Sequence, residues 1–130
     1  MQNKPFGYRL YGRSKGRNKK NFDYDKFNLI LKKFAIHKLS VSNNILDIGS
    51  GYGESALYLA QKNNNAQIIA CEKFIDGNIK LIKNINKKKL TNLFIYNGNA
   101  VQLLDQLDQN EYFSEIWILF PDPWPKKKTF

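Results

Sequence analysis

At 130 residues the chain is one domain at most, and 42% hydrophobic residues are enough to build a core. No apolar run is long enough to span a membrane, and no apolar stretch follows the basic N-terminus as a secretory signal requires. A single cysteine, Cys71, excludes an internal disulfide framework and a cysteine-built metal site, and one histidine leaves little for metal chemistry. Twenty-one Lys and Arg against eleven Asp and Glu leave a net charge of +10, which favours polyanionic partners, nucleic acid first. The expectation is a cytoplasmic protein with no membrane and no metal partner.

Residues 1–22 read as a basic arm. Lys4, Arg9, Arg13, Lys15, Arg17, Lys19 and Lys20 stand there without an acidic residue, and Gly7, Gly12 and Gly16 break any periodicity. The three arginines of the chain are all in this stretch, and a guanidinium fork suits phosphate. The alternative is a solubilising tail. Residues 23–130 read as the folded domain. From Tyr24 to Lys38 the pattern is helical, with Phe27, Ile30, Leu31 and Phe34 on one stripe and Asp23 or Asp25 as N-cap. His37 reads as a surface residue, and Leu39 to Asn43 as a polar connector.

The stretch that follows organises the chain. Asn44-Ile45-Leu46-Asp47-Ile48 reads as a strand, Gly49-Ser50-Gly51-Tyr52-Gly53 as a tight turn, and Glu54 to Gln61 as a helix. The glycines permit backbone conformations closed to other residues and let a ligand approach the main chain. The turn also aims a helix N-terminus at whatever sits above it, which suits an anionic group. Glu54 stands where a dinucleotide fingerprint needs Gly or Ala. With Asp47 ahead of the first glycine, the stretch resembles motif I of the class I S-adenosylmethionine methyltransferases.

Beyond Asn63-Asn64-Asn65 a second strand is expected at Gln67–Cys71, closing with Glu72, with Cys71 a buried thiol. A helix fits Gly77 to Lys87, with Ile79, Ile82 and Ile85 spaced for burial and a lysine run at its C-terminal pole. Leu93–Asn97 reads as a third strand, Val101–Leu107 as a short helix and Ser114–Phe120 as a fourth strand, apolar enough to be buried on both faces. Strands alternating with helices predict an α/β fold: a doubly wound parallel sheet of Rossmann-like, class I methyltransferase type. Four strands leave the last as a hydrophobic edge, which predicts a domain cut short after the fourth strand.

In open α/β sheets, ligands bind beyond the carboxyl ends of the strands, where strand order reverses. Those ends carry Asp47, Glu72, Asn99 and Asp122, each with an acceptor oxygen. This set suits S-adenosyl-L-methionine. Glu72 can accept both ribose hydroxyls, Asn99 before Ala100 can bond the adenine edge, and Asp47 with Gly49, Gly51 and Gly53 can face the methionine part, its ammonium included. Taken singly, each residue could equally be an N-cap or a loop solubiliser.

The segment Leu119-Phe120-Pro121-Asp122-Pro123-Trp124-Pro125-Lys126-Lys127 is similar to the signature of the bacterial tRNA (guanine-N7)-methyltransferases. The stretch Tyr11–Arg17, the Leu46–Gly49 turn, Cys71-Glu72 and Asn99-Ala100 fall in register with that family. The resemblance implies that Asp47, Glu72, Asn99 and Asp122 contact S-adenosyl-L-methionine, that Asp122 is also catalytic, and that Lys126 contacts the tRNA substrate. It implies methyl transfer to N7 of a guanine in the tRNA variable loop. Trp124 reads either as a stacking face for a base or as packing under the loop. The family often carries Asp where Asn99 stands and Glu where Asp47 stands, and its later strands and C-terminal specificity motif are missing from this sequence. Two other readings stand beside it: a class I methyltransferase acting on an amino nitrogen of nucleic acid or protein, and an inactive RNA-binding fragment.

Overall fold

The computed structural model describes residues 21–40, 42–107 and 112–118. Its elements run α1 (Tyr24–Lys32), β1 (Asn44–Ile48), α2 (Glu54–Lys62), β2 (Gln67–Glu72), α3 (Ile75–Lys88), β3 (Leu93–Asn97), α4 (Ala100–Asp105) and β4 (Glu115–Ile118). The four strands form one parallel sheet in the order β3-β2-β1-β4. After β1 the chain works outward through β2 to β3, then returns across β1 to place β4 on its other side. Strand order therefore reverses between β1 and β4, and the sheet is doubly wound.

Residues two apart on a strand share a face, and the core divides accordingly. Ile45, Ile68, Ala70, Leu93 and Ile95 join Phe27 and Leu31 of α1, Ala56, Leu59 and Ala60 of α2, and Leu81, Ile82 and Ile85 of α3 in one buried cluster. Leu46, Ile69 and Cys71 point the other way, into a smaller cluster with Leu39 and Leu103 of α4. By the same alternation Asp47, Glu72 and Asn97 face the α2/α3 side.

Several boundaries depart from the sequence reading. Helix α1 keeps its predicted stripe and is capped by Asp23, which accepts from the Lys26 amide at 2.9 Å, but it stops at Lys32 rather than Lys38. The cause is the outer edge of the sheet: the Ile95 amide of β3 donates to the Phe34 carbonyl at 2.9 Å. The chain thus leaves the helix to run past that edge. It carries Ile36 and Leu39 to the opposite face, so Leu39, expected in a polar connector, is core. Phe22, read as the end of the arm, packs edge-on against Phe27 and lies against the core. Helix α3 begins two residues earlier than expected, and α4 is pulled back to Ala100 by an Asn99 capping box.

Strand β4 overturns one expectation outright. Its four residues are exposed, with Ile116 at 51%, Trp117 at 38% and Ile118 at 53%. An apolar strand is buried on both faces only when helices cover both, and among the described residues β4 contributes to neither buried cluster. Leu119 and Phe120, predicted to continue it, lie outside the described residues, as do residues 1–20.

Candidate functional site

The turn after β1 takes its shape from its glycines. Gly49, Gly51 and Gly53 have φ of 75°, 59° and 89°, all in the left-handed region where a side chain is strained. The Gly49 amide donates to the Cys71 carbonyl and so extends the β1–β2 ladder by one bond, while the Gly53 amide closes back on the Ser50 carbonyl. A Cβ on Gly51 would meet nothing within 4 Å, so the main chain there lies open to a ligand. Gly53 stands at the N-cap of α2 without a capping side chain, leaving the first amides of that helix to other acceptors.

Asp47 lies below the turn, fully buried. Its Oδ2 accepts from Ser55 Oγ in the first turn of α2 at 2.6 Å, whereas its Oδ1 is buried with no hydrogen-bond partner. Burial raises the carboxyl above the usual carboxylate range; the nearby Ser55 and Ser50 hydroxyls oppose the shift and the charge of Glu72 adds to it. A buried acceptor left without a donor costs stability unless something supplies one. An ammonium group is the natural complement.

Glu72, at the end of β2, ties the site together. Its Oε1 accepts from the Gly51 amide at 2.7 Å, and its Oε2 accepts from the Lys73 and Phe74 amides at 3.1 and 2.9 Å. Three backbone donors orient this half-buried carboxylate, and each oxygen keeps lone-pair capacity for a hydroxyl donor. Behind it, fully buried Asn78 of α3 donates to the Glu72 carbonyl and to Asn97 Oδ1, both at 3.0 Å. Cys71 faces away from all this. Its thiol, 2% exposed, sits 3.5 Å from the Gly98 carbonyl, and burial pushes its pKa up to about 12, so it behaves as packing.

Asn99 stands at the start of α4, where its Oδ1 accepts from the Gln102 amide at 2.9 Å and Gln102 Oε1 accepts from the Asn99 amide at 3.3 Å. The N-cap role considered from the sequence is therefore real, and it engages Oδ1 but not Nδ2. Asp47, the three glycines and Glu72 come together around one turn, while Asn99 sits at the end of the neighbouring β3 edge. Asp122, Trp124 and Lys126 lie outside the described residues.

A family described as "Putative methyltransferase" matches residues 42–129. The chain belongs to that family. It is 40% identical over 86 residues to a tRNA (guanine-N(7)-)-methyltransferase of Mesomycoplasma hyopneumoniae (strain 232), covering 66% of this chain and 42% of that protein. It is 33% identical over 132 residues to the protein of the same name from Agrobacterium fabrum, covering 92% of this chain and 56% of that one. The corresponding protein of Neorickettsia sennetsu is 33% identical, with 92% and 55% covered. The chain spans about half the length of the curated relatives it matches.

Three residues of the candidate site escape a reading of the sequence. Ser55 looks like one more polar residue at a helix start, although a hydroxyl in the first turn after such a loop is well placed to reach back to the strand. Asn78 is an asparagine in a lysine-rich helix, and nothing local distinguishes it from that helix's exposed polar residues such as Lys80. Gly77, read as the first residue of its helix, carries no signal there; only inside α3, with the Gly51 carbonyl too close for a Cβ, does a glycine become necessary.

Proposed function

We propose that this chain carries the cofactor half of an S-adenosyl-L-methionine-dependent tRNA (guanine-N7)-methyltransferase of the cytoplasm, acting on a guanine of the variable loop. The observation that carries the reading is the orphaned, fully buried Oδ1 of Asp47 beneath an open glycine turn, beside a Glu72 carboxylate held ready by three amides. One cation and one pair of hydroxyls complement that arrangement, and the cofactor has both. Membership of the methyltransferase family and the names of the relatives support the reaction and the substrate.

The cofactor supplies an electrophilic methyl group on a sulfonium. The protein's part is to bind, orient and balance charge. Asp47 takes the ammonium, Gly49, Gly51 and Gly53 let the main chain come close, Glu72 takes the ribose hydroxyls, and Asn99 offers its Nδ2 to the adenine edge. Guanine N7 has a free lone pair, so no base is needed to remove a proton, and catalysis is chiefly alignment of an in-line displacement. Asp122 holds the guanine through N1–H and the amino group and offsets positive charge growing on the ring. Lys126 and the arginines of the arm hold phosphates, and the base leaves its stack to reach the site.

Calorimetry with S-adenosylmethionine followed by nucleoside analysis of treated tRNA tests this. Binding together with 7-methylguanosine is the expected result. A methyl group on an exocyclic amino nitrogen would move the chain to another class I chemistry. Binding of RNA without binding of the cofactor would leave it an RNA-binding fragment.

A further inference from the structure

We infer that Gly77, in the first turn of α3, is a positioning residue for the methionine end of the cofactor, acting through the glycine turn. This rests on the cofactor reading above and deepens it. Gly77 is buried, and its backbone does not need the left-handed region, so conformational freedom is not what glycine supplies here. Space is. A Cβ on Gly77 would fall on the carbonyl oxygen of Gly51, well inside contact distance, and would stand 2.8 Å from the carbonyl carbon and 3.2 Å from Phe74 Cδ2. The obstacle is backbone rather than the end of a flexible side chain, so no rotamer change relieves it.

The close approach repeats one turn along. A Cβ on Gly53 would meet Leu81 Cδ1 at 2.6 Å, and Leu81, four residues after Gly77, lies on the same face of α3. One face of α3 therefore presses on the glycine turn at both Gly51 and Gly53. The helix cannot back away, because Asn78 anchors it to the ends of β2 and β3 through the Glu72 carbonyl and Asn97. Gly51 is held from two sides: its N–H by Glu72, its carbonyl against Gly77.

The two halves of the site respond differently when this packing is disturbed. Glu72 keeps the Lys73 and Phe74 amides, which belong to its own turn, whether or not Gly51 moves. The ribose ligand thus stays in place. The glycine turn, and with it the backbone above Asp47, is displaced. Gly77→Ala should consequently discriminate between ligands that have the amino-acid tail and ligands that lack it.

The experiment is calorimetry of S-adenosylmethionine and of 5′-methylthioadenosine, which has the adenosine and sulfur but no amino acid, against the wild-type chain and Gly77→Ala, with circular dichroism on both. S-adenosylmethionine should bind the variant roughly tenfold or more weakly, as removal of a charge-assisted hydrogen bond implies, with methylthioadenosine within about twofold of wild type. Equal weakening for both ligands, or none for either, overturns the inference. If the variant does not fold, amide resonances of the wild-type chain answer the same question. S-adenosylmethionine should shift Gly77 and Asn78 while methylthioadenosine leaves them, and equal shifts overturn it. A wild-type chain that binds neither ligand overturns the cofactor reading itself and the inference with it.

Discussion

Ser55 Oγ donates to Asp47 Oδ2 at 2.6 Å and leaves Oδ1 of the same carboxylate buried without a partner. A serine in the first turn of α2 thus satisfies half of an acid on β1 and leaves the other half without a donor. Such a half-satisfied group weakens the fold unless a ligand supplies the missing donor, a trade expected at functional sites.

That trade can be measured at Asp47. Because burial raises its carboxyl, the folded chain holds a proton there at pH values where the unfolded chain has lost it. The stabilisation from the neutral form is complete below the unfolded-state value and is lost as pH rises through the raised folded value. Asp47→Asn, neutral at every pH, should melt higher than wild type at pH 7 and should flatten this part of the stability–pH curve. The same change should weaken S-adenosylmethionine binding by about 1.5–3 kcal/mol. Thermal melts across pH and calorimetry check both halves, and a variant that melts lower at pH 7 speaks against an orphaned charge.

If Glu72 holds the ribose through a charge-assisted pair of hydrogen bonds, Glu72→Ala should weaken S-adenosylmethionine binding by about 2–3 kcal/mol. The structure adds a second effect. With Oε1 gone, the Gly51 amide is left without its acceptor and should exchange with solvent faster even in the absence of ligand. Calorimetry and hydrogen exchange read the two effects separately. Unchanged affinity in a folded variant removes the ribose assignment.

The arm, outside the described residues, is tested by salt. Replacing Arg9, Arg13 and Arg17 together should weaken tRNA binding and flatten its salt dependence, by about 0.7–0.9 in slope for each phosphate no longer neutralised. S-adenosylmethionine affinity should hardly move. An unaltered slope returns the arm to a solubilising tail.

Asp122 and Lys126 should separate rate from affinity. If Asp122 balances charge that develops on guanine, Asp122→Asn lowers the single-turnover methylation rate by on the order of 10²–10³ with tRNA affinity nearly intact. If Lys126 holds the tRNA equally before and during reaction, Lys126→Ala mainly weakens the apparent affinity for tRNA. Single-turnover kinetics at saturating tRNA tell them apart. A near-normal rate for Asp122→Asn makes the carboxylate a cofactor ligand or loop anchor.

What the sequence determined by itself is the run of local elements and the position of the turn. The spacing of Phe27, Ile30, Leu31 and Phe34 marks α1, and the apolar runs mark β1, β2 and β3. Three alternating glycines after Asp47 mark the candidate site, because only glycine adopts left-handed φ there without strain. These signals are legible because helix periodicity, strand alternation and turn stereochemistry are local. The tertiary structure decided whatever depends on partners distant in sequence. Helix α1 ends early because a β3 amide takes the Phe34 carbonyl, and Leu39 is core because the chain must round that edge. Strand β4 is exposed because burial needs helices on both sides, which its own apolar residues cannot supply. Gly77 and Asn78 stand out only once α3 is laid against Gly51, Glu72 and Asn97, since close approach and buried hydrogen bonds exist between elements and not within them.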